Sequence, residues 1–307
     1  MEISTDMIRR PHVPSSTFHV LFAIAIALAF AGPVAAGVVF TQEIRGEGET
    51  AKFQNMTMRT WIDTGGAKTE ILTSGNPILA AGSYMLIQPD ADAILLVNPK
   101  EKTYATLDFA AMMGSMSQMM GGGGENAPAP KVADPIVEKL LEEDGGMMLG
   151  RPTRHFRWRT RYTMVMSLPM GMGMEIATDQ TEDVWVADIK IDPKIMRSFE
   201  SMGGGAAMSA DMQKIVEAAK KTQTGFPMKS ITVSKSKSTT TGSGMMAKMM
   251  ANAAKDQGSE EPTTTTFEVT ALSEEKIPAS MFSIPAGYTE TEMMAPAMKM
   301  PDMNQQN

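Results

Sequence analysis

The chain, 307 residues long, contains no cysteine. Disulfides, thiolate nucleophiles, cysteine-based zinc sites and a lipidated N-terminal cysteine are therefore all excluded, and the fold must be held by its core alone. Histidine is almost as scarce. Three are present, and only His155 lies beyond the first 36 residues. A Ser-His-Asp arrangement would have to use that one residue, and no Gly-x-Ser-x-Gly elbow accompanies it. His-Glu-x-x-His, Gly-x-x-x-x-Gly-Lys and calcium-loop spacings are missing as well. No carboxylate pair is marked out for acid–base work. Basic residues number 28 against 35 acidic ones, a net charge of −7, which leaves no electrostatic footprint for nucleic acid. The longest apolar run, Phe18–Ala31, falls short of the roughly 20 residues that a bilayer-spanning helix needs. These absences predict a protein without catalytic residues, cofactor or nucleic-acid partner.

The N-terminus carries the features of a secretory signal. Arg9-Arg10 form a positive n-region, Phe18–Ala31 the apolar core, and Val34-Ala35-Ala36 a small-residue cleavage site before Gly37. Pro11-His12 after the arginines argue for ordinary export of an unfolded chain over a twin-arginine route. The expectation is a signal peptide over 1–36, residence in the periplasm, and no transmembrane segment after cleavage near Ala36-Gly37. An uncleaved anchor is the alternative.

The most regular stretch runs from Thr153 to Asp188. Phe156, Trp158, Tyr162, Met164, Met166 and Leu168 fall on one parity, His155, Arg157, Arg159, Arg161, Thr163 and Ser167 on the other. Side chains alternate across a strand, so this is a long strand with one apolar and one basic face. Pro169-Met-Gly-Met-Gly173 turns the chain, and Met174, Ile176 and Val184-Trp185-Val186 mark a second strand. Before it, Val38–Ile44, Phe53–Ile62, Lys68–Thr73, Ser83–Gln88, Ala93–Val97 and Lys102–Asp108 read as a meander punctuated by turn residues. After it, Phe226–Thr241 and Thr263–Leu272 are β-branched, extended and expected to pair.

Helix signals interrupt the strands. Asp108 is placed to cap a helix bearing Phe109, Met112, Met113, Met116, Met119 and Met120. Asp134-Pro135 reads as a helix start with Ile136, Val137, Leu140 and Leu141 as its buried stripe. Asp192-Pro193 repeats that signal before Ile195, Met196, Phe199 and Met202, and a further helix is expected over about 208–221. This order of elements predicts one α+β domain over 37–289, with flexible Gly/Met-rich insertions at 110–133 and 242–262 and a disordered Met-rich tail at 290–307.

Four segments together resemble a known family. They are Asn98-Pro-Lys-Glu-Lys-Thr-Tyr104, Gly150 leading into the alternating strand, Glu182-Asp-Val-Trp-Val-Ala187, and Phe282-Ser-Ile-Pro-Ala-Gly-Tyr288. In combination they are similar to an exported bacterial domain of unknown function (type 4412), itself similar to the outer-membrane lipoprotein carriers and localisation factors. The resemblance implies a curved antiparallel sheet, an unclosed half-barrel wrapped around a few helices, with an apolar cavity for acyl chains. It also implies an apolar small molecule or lipid as ligand and an outer-membrane or envelope protein as partner.

Residue by residue, the chemistry stays open between a ligand and a plain structural role. Phe156, Trp158, Tyr162, Met164 and Met166 are either core or the wall of an apolar groove, since the same area stabilises either. Trp185, the helix residues Met112 and Met116, and Phe282 and Tyr288 are expected to complete that groove, the helix as a movable lid and the last two as its end seal. Arg157, Arg159 and Arg161 are either an anionic head-group site or a solvated outer face. Of the 32 methionines, Met170, Met172 and Met174 would share one face of a strand, a spacing that soft Cu(I) or Ag(I) ions tolerate. Helical methionine stripes are more often core. His155 is expected on the surface or at a strand edge. An exported scaffold without any ligand is the remaining alternative.

Overall fold

The alternating stretch lies in one 18-residue strand, Arg151–Leu168, flanked by strands of 18 and 16 residues. The computed structural model describes residues 37–47, 55–75, 79–88, 94–107, 131–168, 172–191, 195, 225–241 and 262–291. Twelve strands make one sheet: β1 Gly37–Glu47, β2 Met56–Asp63, β3 Gly66–Ser74, β4 Tyr84–Ile87, β5 Ile94–Asn98, β6 Thr103–Leu107, β7 Lys131–Met148, β8 Arg151–Leu168, β9 Met172–Ala187, β10 Phe226–Thr241, β11 Thr263–Glu275 and β12 Thr289–Glu290. Their order across the sheet is β12-β6-β5-β4-β3-β2-β1-β11-β10-β9-β8-β7. Every pair is antiparallel except β12 with β6. The sheet is not closed, because β7 and β12 stand at opposite edges. A short meander, β1 to β6, thus meets a set of long strands, β7 to β11, at the single seam β1–β11.

The α+β expectation is overturned. Among the described residues the structure is this sheet and one 3₁₀ turn, Ala279–Phe282, with helical conformation at Ile195 alone. The expected helix after Asp134-Pro135 is instead part of β7, paired with β8 from Lys131 to Met148. Three irregularities in that pairing explain the misreading, at Ala133/Ile136, Lys139/Leu141 and Asp144/Gly146. Each bulge adds a residue and shifts the alternation, so a bulged strand spaces its apolar residues by three and four as a helix does. Pro135 sits inside the first bulge on an edge strand, where its missing N–H costs no ladder bond. Bulges also deter strand addition at an exposed edge. The helices expected over 109–120 and 208–221 lie outside the described residues, as does all of the one after Asp192 except Ile195, which is fully buried in the core.

Apolar residues of one parity build the main core on one face of the sheet. Val38, Phe40 and Ile44 of β1, Met56, Met58 and Ile62 of β2, and Phe267 and Val269 of β11 meet there, with Phe40 edge-on to Phe226 at 5.0 Å. The opposite face of the meander is covered by the chain's return after β11. Phe282 packs with Val39 and Ile277, and Ile284 and Tyr288 pack with Tyr84, Leu86 and Val97. The β2–β3 hairpin turns at Asp63-Thr-Gly-Gly66, where Gly66 has φ +142° and a Cβ would meet the Ile87 carbonyl oxygen at 2.5 Å. Only glycine fits both the dihedral and the space.

Candidate functional site

Register carries the core face from β11 across to β8. Phe267 of β11 stands opposite Ser230 of β10, Ser230 opposite Val184 of β9, and Val184 opposite Phe156 of β8. Phe156, Trp158, Tyr162 and Met164 therefore share a face with the main core, as their alternation predicts. They do not merge with it. Phe156, Trp158, Val184 and Val186 form one cluster, and Val132 with Val137, Tyr162 and Met164 another.

Between these clusters and the main core lies a polar band. On the core-face parity β9 presents Thr178, Gln180 and Glu182, and β10 presents Ser230, Thr232, Ser234 and Ser236. Thr178 and Ser230 are buried, and Thr178 and Ser236 share a hydrogen bond between their hydroxyls at 3.4 Å. Burial pushes the Tyr162 phenol up, and a hydrogen bond with Thr178 works against that shift. Trp158 is 5% exposed, and its Nε1–H is out of solvent without a hydrogen-bond partner among the described residues. Leaving such a donor unmet costs about 1–3 kcal/mol. Directly across from Trp158 stands Glu182, half-buried, with no hydrogen bond to another described residue. Loss of hydration, reinforced by the negative charge of Asp183, pushes the Glu182 carboxyl up to about 7. An unpaired donor and a carboxyl held close to neutrality form a polar spot beside an apolar stripe.

The other face of the same strands is ionic and internally matched. Arg159 donates from Nε and Nη2 to the two oxygens of Asp179 at 2.9 and 2.6 Å, and that pairing holds the Asp179 carboxyl below its ordinary value. Arg157 Nε donates to Asp183 Oδ1 at 2.8 Å, and Arg161 lies in the field of Asp179. His155 corrects its sequence expectation. It is buried, at 7% exposure, stacked on Trp185 at 4.2 Å and held between Glu143 and Asp183 at 2.9 and 2.7 Å. Asp183→Ala is expected to cost about 1–3 kcal/mol, because it strands a buried ring nitrogen of His155 and frees Arg157. Urea denaturation measures it; a midpoint unchanged from wild type would mean that this array contributes nothing.

The structure brings together only part of the predicted groove. Trp185 is on the opposite face from Phe156 and Trp158, which parity alone requires. Phe282 and Tyr288 also cover that opposite face, over the short-strand half, and seal no end of the stripe. Met166 and Met174 are in register at the far end of β8 and β9, as are Leu168 and Met172. Met112, Met116 and Met170 lie outside the described residues. Among the described residues no group of three or more His, Asp or Glu could hold a metal ion, and no helix is long and apolar enough to cross a membrane. Glu182 escaped the sequence reading. Its signal was present, since Thr178, Gln180 and Glu182 interrupt an otherwise apolar parity from Met174 to Val186, but its meaning depends on the register with Trp158.

No family model and no curated protein matches the sequence. Among solved structures, a LolA superfamily protein from Nitrosomonas europaea aligns over 86% of this chain and 96% of its own, at 7% identity and a TM-score of 0.29. So low a similarity carries neither fold nor ligand across to this chain.

Proposed function

We propose that this chain is an exported, non-catalytic binding protein that carries a lipid-like or other apolar ligand on the core face of β8 and β9, in the periplasm, for delivery to an outer-membrane or envelope partner. The observation that supports it best is the unmet Nε1–H of Trp158 within a satellite apolar cluster. Buried polar atoms in a plain scaffold are almost always paired, so an unpaired one beside a carboxyl with no hydrogen bond among the described residues supports a place where another molecule supplies the bond. Tyr162, Met164, Val132 and Val137 extend the apolar surface along the strand. Each methylene of a guest taken from water to such a surface contributes about 0.8 kcal/mol, and methionine adapts its shape to variable guests. Guest contacts replace existing ones, so the net affinity is modest and the binding reversible.

Organic extraction of the protein purified from its own host, followed by mass spectrometry, tests this. The expected result is a co-purifying lipid-like compound in stoichiometric amount, displaced by an apolar dye. Protein that yields no such compound and binds no dye overturns the reading.

A further inference from the structure

We infer that Trp158 and Glu182 together hold the carbonyl oxygen of an uncharged acyl ester or amide, so that the guest is an acylated compound with its head at this pair. The inference rests on the carriage reading above and specifies its ligand. The two residues are directly opposite across the β8–β9 ladder and on one face, which sets their Cβ atoms about 4.5–5.5 Å apart. One ligand atom can meet both side chains at that separation. The indole N–H can only donate, so its missing partner is an acceptor. A neutral glutamic acid also donates, and a carbonyl oxygen has two lone pairs to receive two donors. From this pair, Tyr162 and Met164 lead an acyl tail along β8 over about 20 Å, at 3.3 Å per residue.

Charge excludes an anionic head. Asp183 follows Glu182 in the chain and adds negative potential at its carboxyl. On β10 the residue opposite Glu182 is Thr232, and on β9 the nearest core-face neighbour towards Tyr162 is Gln180. Two cations reach this face from β7 and β8, and both are engaged. Lys139 lies over the Trp158 ring at 5.9 Å and bridges Glu142 at 2.5 Å, while Arg154 lies over the Phe156 ring and bridges the same Glu142. Among the described residues no free cation faces the pair.

The test uses the purified full chain and three probes of equal length: hexadecane, methyl hexadecanoate and hexadecanoate. The ester is expected to bind about tenfold tighter than the alkane, the worth of one net hydrogen bond. Trp158→Phe is expected to abolish the tenfold difference between ester and alkane. Ionised Glu182 cannot donate, so ester affinity falls as the pH rises from about 5.5 to about 8.5, and Glu182→Gln, whose amide donates at every pH, shows no such fall. Equal affinity for ester and alkane, an ester advantage that survives Trp158→Phe, or hexadecanoate binding as tightly as the ester at the higher pH each overturn the carbonyl assignment while leaving carriage intact. A chain that binds none of the probes removes carriage itself. Should Trp158→Phe fail to fold, the isosteric Glu182→Gln decides through the pH profile alone.

Discussion

Replacing Phe156 by alanine is expected to lower the free energy of unfolding by about 3–5 kcal/mol, the range found when a fully buried aromatic ring is removed. Phe156 is 1% exposed and lies 6.4 Å from the Trp158 ring, with Val184 and Val186 in the same cluster. Few neighbours can relax into the space. Phe156 is paired on both sides, with Glu142 of β7 and with Val184 of β9, and β9 keeps its register without a shift, so a cavity persists. Urea denaturation reads the loss as a lower midpoint at unchanged slope. On the same hairpin Ile136→Ala serves as the contrast, because Ile136 is 46% exposed and its loss is expected to stay within about 0.5 kcal/mol. Equal effects at the two positions would mean that the stripe on β8 is not packed.

A change in the opposite direction is expected from Glu182→Gln. The folded state holds the Glu182 carboxyl near pH 7, well above its ordinary value of 4.5. The protein therefore binds a proton there that the unfolded chain has already released. Stability from this group is complete below the ordinary carboxylate range, and it drains away as the pH rises through about 7. Above that, folding must bury a charge. Glutamine removes this cost without changing shape, so Glu182→Gln is expected to stabilise the protein by on the order of 2–3 kcal/mol near pH 8 and to leave it unchanged near pH 4. Thermal unfolding of both proteins across the pH range shows it as two curves that converge in acid. Parallel curves would place the Glu182 carboxyl in water. Asp179 runs the other way, because its lowered value makes the Arg159 pair weaken as the pH falls, and its exposure keeps that effect small.

The strand pattern was legible wherever burial is one-sided. Alternation along β8 showed its two faces, though it places the start at Thr153 in place of Arg151, and Phe226–Thr241 was bounded correctly because its polar, β-branched run has no helical spacing to compete. The turn at Asp63-Thr-Gly-Gly66 announced itself through its glycines. Bulges defeated the same logic in β7, where Asp134-Pro135 offered a helix start and Asp134, at φ +52°, instead takes a left-handed bulge conformation. His155 looked exposed by parity, since a strand's polar side ordinarily meets water; Glu143, Asp183 and Trp185 from two other strands enclose it. Likewise, Phe282 and Tyr288 were recognisable as docking aromatics, while the face they dock on depends on how the chain returns after β11. The stripe on β8 was visible at once, but its polar partner Glu182 acquires meaning only through cross-strand register.

The position of β1 at the centre of the sheet, between β2 and β11, governs the order in which the protein can assemble. The first of the described strands pairs on one side with its immediate successor and on the other with a strand more than 200 residues later. Until that late strand arrives the short meander and the long strands remain two separate sheets, each with an open edge and an uncovered apolar face. Closure of so distant a contact makes the final step slow and leaves the unjoined sheets open to capture by chaperones after most of the local hairpins have formed.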